Sequence, residues 1–341
     1  MPGMDGDAPT LDPSLAPVLL FDCGRGGADD DEEEANRDSK LLVYSIPRRQ
    51  LLAASTRGLD HLVDGANWIT PQGWVLTLDP ATRDASLHDP FTSRRVPLPP
   101  DRENLLSSSE DTKCILSTHR PADPGCVVLM VHSNEPVLCS LCYCCPGSRR
   151  WLRHEYRPEL LAVDDRYGRR EIINAMTKLT AAGGAFYTNW DGKLATLRFS
   201  PDHPTLSTSH VTDEAAPTRC YFLTEACLVE SCGELFTVRF CYTQLCDRRI
   251  LHVEVEKLDG ARSAWVKVAG LGDRVFVVGS GQFGASMPAD RFGLRANCVY
   301  FTNKGDKGLY VHSMEQGTTT LHNPGSDIPD STGSILLIHA I

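Results

Sequence analysis

The chain has 341 residues, a formal net charge of −10, and 41% hydrophobic and 23% charged residues. That is ordinary globular composition with enough apolar sequence for a large core. The acidic balance suits a nonspecific nucleic-acid binder poorly, because such a protein must face phosphate with many cations. No run approaches the roughly 18–20 apolar residues that span a bilayer.

The opening residues MPGMDGDAPT have no basic stretch followed by an apolar one, so no signal peptide is read there. No N-x-S/T sequon occurs. The 13 cysteines are odd in number and irregularly spaced. They fit free thiols packed as small hydrophobes in the cytoplasm or nucleus.

In chain order, residues 1–39 read as a flexible N-terminal segment and 40–341 as one domain. Residues 1–17 are rich in Pro and Asp, and VLLF (18–21) is a short apolar piece. Residues 24–34 end in a run of carboxylates at 29–34. Adjacent like charges repel and stay hydrated, which predicts a solvated loop. A calcium loop would instead alternate its ligands around a turn glycine.

Strand signals begin at Lys40. LLVYSI (41–46) and QLLAAS (50–55) flank a turn at Pro47. WVLTLD (74–79) and DASLHD (84–89) form a second pair, and CVVLMVH (126–132) and PVLCSLCYC (136–144) a third. KLATLRF (193–199) alternates cleanly. ELFTVRFCY (234–242) pairs with ILHVEVEKL (250–258), and NCVYFT (297–302) with LYVHSM (309–314). Strands of 5–9 residues with turn signals every 8–12 predict a sandwich, barrel or propeller.

Helix is scarce. PELLAVDD (158–165) is read as two helical turns, with Pro158 tolerated at the first position. RENLLSSSED (102–111) is a weaker candidate. About two dozen strands at four per blade predict an all-β propeller, kelch-like, with six or seven degenerate four-stranded blades. Trp151 and Trp265 each follow a Gly-containing turn and open a strand. Each is expected on an edge strand, with its ring between neighbouring blades. The doublet Gly183–Gly184 before Phe186 and Tyr187 resembles a kelch repeat.

Two motifs mimic cofactor sites. Gly279-Ser-Gly281-Gln-Phe-Gly284 is a formal G-x-G-x-x-G after the apolar strand VFVV. A dinucleotide site needs its third glycine to open a helix. Here Pro288 and Gly293 interrupt the residues beyond Gly284, so a tight turn is expected. Cys139-x-x-Cys142-x-Cys144-Cys145 contains a CxxC with no matching second half. In a strand, Cys142 and Cys144 face one side and Cys139 and Cys145 the other, so four thiolates do not converge.

No G-x-S-x-G, H-E-x-x-H or G-x-x-x-x-G-K-[ST] occurs. No catalytic, cofactor-binding or metal-ligating residue is therefore assigned, and no cofactor is expected. Five Arg pairs stand out: Arg48-Arg49, Arg94-Arg95, Arg149-Arg150, Arg169-Arg170 and Arg248-Arg249. They read either as solvated connectors or, if several share one face of the wheel, as a dock for an acidic partner.

Several stretches together resemble the plant F-box-associated β-propeller family, the kelch-like domain of unknown function 295. They are GWVLTLDPATRDASLHDPFTSRRVPLPP (73–100), CVVLMVHSNEP (126–136), WLRHEY (151–156), CLVESCGELFTV (227–238) and AWVKVAGLGDRVFVVGSGQFGASMPADRFGLRANCVYFTN (264–303). The resemblance implies a propeller that binds a target protein in a ubiquitin-related setting. Members carry an N-terminal F-box that docks the adaptor of an SCF ubiquitin ligase. None is visible ahead of VLLF, so that adaptor is not expected as a partner. SILLIHAI also departs from the family's ending, which puts closure of the last blade in question.

The function expected is that of a non-enzymatic protein–protein interaction module, binding an unidentified protein and neither nucleic acid nor membrane. The alternative is a propeller enzyme, a hydrolase or oxidoreductase, with an unrecognised site at the central channel.

Overall fold

The computed structural model describes residues 11–23, 41–52, 66–106, 112–132, 139–156, 162–164, 170–172, 178–190, 192–199, 203–213, 223–242, 250–279 and 283–339. These residues form six radial sheets of four or five strands. Blade 1 contains β1 (Val18–Asp22), β2 (Leu41–Ser45) and β3 (Gln50–Leu52). Blade 2 is β4 (Ala66–Ile69), β5 (Val75–Leu78), β6 (Ala85–His88) and β7 (Arg95–Pro97). Blade 3 is β8 (Lys113–Leu116), β9 (Val128–His132), β10 (Cys139–Cys144) and β11 (Leu152–Tyr156). A separate hairpin, β12 (Ala162–Asp164) with β13 (Arg170–Ile172), precedes blade 4.

Blade 4 is β14 (Thr180–Ala182), β15 (Ala185–Trp190), β16 (Lys193–Phe199) and β17 (Pro204–His210). Blade 5 is β19 (Leu223–Ser231), β20 (Glu234–Tyr242), β21 (Ile250–Asp259) and β22 (Ala264–Lys267). The short β18 (Thr212–Asp213) lies parallel to β22 on its outer edge. Blade 6 runs β24 (Gly284–Pro288), β23 (Arg274–Val278), β25 (Cys298–Thr302), β26 (Leu309–Ser313) and β27 (Thr318–His322) from the axis outward. Strand β28 (Ser334–Leu337) completes blade 1 at its inner edge, with Val18 opposite Leu337. Inner strands β4, β8, β14, β19 and β24 touch in sequence around the ring. The architecture is a six-bladed β-propeller.

The core lies between blades. One apolar cluster joins blade 1 to blade 6 and, through Val75 and Phe91, to blade 2; a second joins blades 2 and 3, and a third blades 3 and 4. Two more join blades 4 and 5 and blades 5 and 6. Each blade therefore buries both faces, which is why strands such as β2 and β9 are apolar without alternation. The Trp151 and Trp265 rings pack between blades as expected, but Trp151 lies just before edge strand β11, and β22, which carries Trp265, is covered at its outer edge by β18. Trp151 packs between blades 2 and 3 and its indole N–H donates to the Pro99 carbonyl at 2.8 Å. Trp265 packs between blades 4 and 5.

Three expectations are corrected. The propeller does not start at residue 40: Val18–Asp22 is a central strand, hydrogen-bonded on both sides. The described part of 158–165 is strand, since β12 pairs with β13 instead of continuing a helix. The described part of 102–111 is turn, because buried Asp101 accepts from the Leu105 and Leu106 N–H groups at 2.7 and 3.0 Å and holds the chain in a loop. The ending SILLIHAI does close the wheel, through β28. The acidic run at 29–34 lies outside the described residues.

Candidate functional site

Strand direction decides which side of the wheel each turn occupies. The turn leaving an inner strand opens on one face, as do residues 70–74 of blade 2, 117–127 of blade 3 and 232–233 of blade 5. Successive strands alternate in direction, so the turn between the third and fourth strands opens on the same face. Arg48-Arg49 lies in the β2–β3 turn, Arg94-Arg95 at the β6–β7 turn, and Arg149-Arg150 in the β10–β11 turn. Three of the five Arg pairs thus share one face across three consecutive blades, and all six side chains are exposed. Arg170 is described only as the start of β13, while Arg169, Arg248 and Arg249 lie outside the described residues.

Arg48 makes an exposed ion pair with Asp12 at 3.3 Å. Among the described residues the other five arginines face no carboxylate within ion-pair distance. Several carboxylates on this face are already engaged. Asp89 accepts from the Phe91 N–H at 2.9 Å and the Thr92 hydroxyl at 2.6 Å. Glu230 accepts from the Gly233 N–H at 2.7 Å and faces His119 Nε2 at 3.3 Å; these contacts outweigh burial and lower its pKa.

A cleft of about 330 Å³ opens on this face beside the channel mouth, lined by Trp74, Asp89, Thr92, Arg94, His119, Arg120 and His339. Buried Trp74 forms its floor. The Trp74 backbone N–H donates to Thr70 Oγ1 at 3.0 Å, and its indole N–H donates to the His119 carbonyl at 3.2 Å. The Arg94 guanidinium lies 5.6 Å from the centre of the indole ring, a cation–π distance. His339 meets Phe91 edge-on at 5.2 Å, and its buried Nε2 has no hydrogen-bond partner among the described residues. Burial, the leading influence, lowers the His339 pKa and favours neutral imidazole.

A second polar cluster sits in the seam between blades 4 and 5. Arg239 reaches Asp213 with one nitrogen and Glu256 with the other, the latter at 2.9 Å. Glu256 has no exposed side-chain surface, and neither of its oxygens meets hydrogen-bond geometry. Burial pushes its pKa up to about 7; Arg239 opposes the shift, and Asp213 and Glu254 add to it.

In the two motifs that mimic cofactor sites the described residues make packing contacts, and residues 280–282 lie outside the described residues. Gly279 N–H donates to the Phe283 carbonyl at 2.9 Å in the β23–β24 turn, and Gly284 opens a strand. A Cβ on Gly284 would lie 2.5 Å from Val229 Cγ2, so this glycine serves blade-to-blade approach. Cys142 and Cys144 share the buried side facing blade 2, and Cys145 faces blade 4. Burial pushes the Cys142 thiol to about 11 and the Cys144 thiol well above its ordinary value. Among the described residues no three His, Cys, Asp or Glu side chains are grouped to hold a metal ion.

Sequence reading found the arginines but not their convergence. It missed the cleft, whose walls come from three separate turns and His339, two residues past β28, with no local motif linking them.

Comparison with known proteins gives one family. The chain matches the model of the KIB1-4 beta-propeller over residues 43–319. No curated protein matches it. Among solved structures it is similar to a lectin of Aleuria aurantia in complex with alpha-methyl-L-fucoside. That match has 10% identity, 98% of each chain covered and a TM-score of 0.31. It is also similar to the PQQ-bound aldose sugar dehydrogenase of Streptomyces coelicolor, at 11% identity, 81% of this chain and 82% of that chain, with a TM-score of 0.26. The Cps50 (Swd1) propeller domain of Myceliophteria thermophila matches at 10% identity over 83% of this chain and 89% of that one, TM-score 0.25. With a single family model spanning most of its six blades, the chain belongs to the KIB1-4 beta-propeller family.

Proposed function

We propose that this propeller is a non-enzymatic docking module whose arginine-bearing face receives an acidic protein partner. The observation that carries the reading is the convergence of Arg48-Arg49, Arg94-Arg95 and Arg149-Arg150 on one face of a chain whose net charge is −10. Rigid strands fix the turns, and the turns present a recognition surface. Concentrated positive charge steers an acidic partner and adds a salt-dependent component to binding. The finer likeness to F-box-associated, kelch-like propellers, carried by residues 73–100 and 264–303, supports a protein as the ligand. A cytoplasmic or nuclear setting suits its buried thiols.

The test is binding of a fluorescein-labelled Asp/Glu-rich peptide to the full chain at 50 and 300 mM salt. The reading expects binding that weakens with salt and falls several-fold in the paired variant R149Q/R150Q, with unchanged circular dichroism. Salt-insensitive binding, or none, refutes it.

A second reading, a propeller enzyme, draws support from the His119–Glu230 pair at the channel mouth. Among the described residues no nucleophilic side chain hydrogen-bonds His119, so the docking reading has the better footing.

A further inference from the structure

Of the paired arginines only Arg94 lines the cleft; the others lie on exposed turns, and exposed charges alone give little discrimination between partners. The cleft beside the channel mouth has a different character. Its floor is an indole ring already capped by Arg94, and its walls carry Arg120, His119 and His339. Its one carboxylate, Asp89, is 2% exposed and accepts from its own turn through both oxygens. The free polar capacity of the cleft is therefore two guanidinium groups and the neutral His339 ring, with no free carboxylate among the lining residues. Neither Arg94 nor Arg120 makes an ion pair among the described residues. A volume of about 330 Å³ lies at the small end of ligand sites and holds one side chain rather than a folded element.

We propose that this cleft seats one anionic side chain of the docked acidic peptide, with the Arg94 and Arg120 guanidinium groups as its donors. The inference rests on the docking reading and adds to it a specific anchor. Two guanidinium groups with His119 alongside suit a dianionic phosphomonoester better than a carboxylate, because a planar fork can serve each of two phosphate edges. The shared chemistry is a compact anion, and its source is distinguished by experiment.

Three forms of one acidic peptide are titrated into the full chain. They carry glutamine, glutamate or phosphoserine at a central position, and inorganic phosphate is titrated alone as a fourth probe. The expected order is phosphoserine, then glutamate, then glutamine. The phosphoserine form should bind about tenfold tighter than the glutamine form, the scale of a charge-assisted hydrogen-bond pair. R120Q should remove most of that increment and leave the glutamine form's affinity nearly unchanged; R94Q, whose arginine also belongs to the docking face, should remove the increment and in addition weaken all three peptides alike. R149Q/R150Q should weaken all three peptides alike. Both cleft arginines are exposed, so these variants should fold, and circular dichroism checks this.

An increment that survives R94Q and R120Q, or no increment between the three forms, overturns the cleft and leaves the docking face standing. Inorganic phosphate binding as tightly as the phosphopeptide overturns the peptide and assigns the cleft to a free anion. If no peptide binds in a salt-sensitive way, the docking reading falls and the anchor with it.

Discussion

Replacing Glu256 with glutamine tests the seam between blades 4 and 5. A carboxyl whose pKa rises from 4.5 to about 7 on folding holds more protons in the folded state across that interval. Stability from this group is thus fully present below about pH 4.5 and is lost as pH rises through 7. The loss is at most about 3.5 kcal/mol, from roughly 1.4 kcal/mol per pH unit. Glutamine keeps the shape and cannot ionise, so Glu256→Gln should remove this pH step. Urea unfolding at pH 5 and pH 8.5, followed by tryptophan fluorescence, gives the two stabilities, and Trp265 reports from the same seam. Other carboxylates contribute equally to both proteins, so the informative quantity is the difference between variant and parent. The variant should gain about 1–3 kcal/mol on the parent between the two pH values. An unchanged difference would show that Glu256 is ionised at both pH values, held by Arg239 as a conventional buried pair.

Other expectations come from packing and turn geometry. Gly284→Ala places a methyl 2.5 Å from Val229 Cγ2 and 3.2 Å from the Leu228 carbonyl, and should destabilise by about 1–3 kcal/mol in the same unfolding assay. Trp151→Phe strands the Pro99 carbonyl and should cost about 1–3 kcal/mol, with circular dichroism of the folded state unchanged. Arg49 sits at φ 51°, a left-handed conformation that disfavours a side chain. Arg49→Gly should therefore raise stability by a few tenths to about 1 kcal/mol while weakening acidic-peptide binding, and no gain in thermal midpoint would refute this. Among the described cysteines, exposed Cys232 should alkylate quickly, while Cys114, Cys142 and Cys144 should react only on unfolding, as peptide mass spectrometry would read.

Much of the wheel is legible in local sequence. The paired strands from Leu41 to Ser313 announce themselves by length, turn residues and apolar runs, and the two blade-seam tryptophans by their place after a turn. Long-range pairing is what the sequence hides. VLLF at 18–21 looks like part of a loose leader because one of its partners, β28, lies at the far end of the chain. The run ILHVEVEKL misleads in another way. Its alternation suggests one face in water, yet Glu256 is enclosed because the neighbouring blade covers that face. ELLA before Val163 has good helix formers, but pairing with β13 overrides local preference in the described residues. The candidate site was half visible: the arginine doublets are plain, whereas their shared face is a property of strand direction and blade order.

The joining of β1 to β28 constrains synthesis as well as shape. As the chain leaves the ribosome, every blade but the first can assemble from neighbours already made. The Val18–Asp22 strand must wait, its inner edge unsatisfied, until Ser334–Leu337 has emerged. A growing open arc of this kind shows unpaired backbone and apolar flank throughout translation. Loss of Ser334–Leu337 alone would leave the other blades formed and no closed ring.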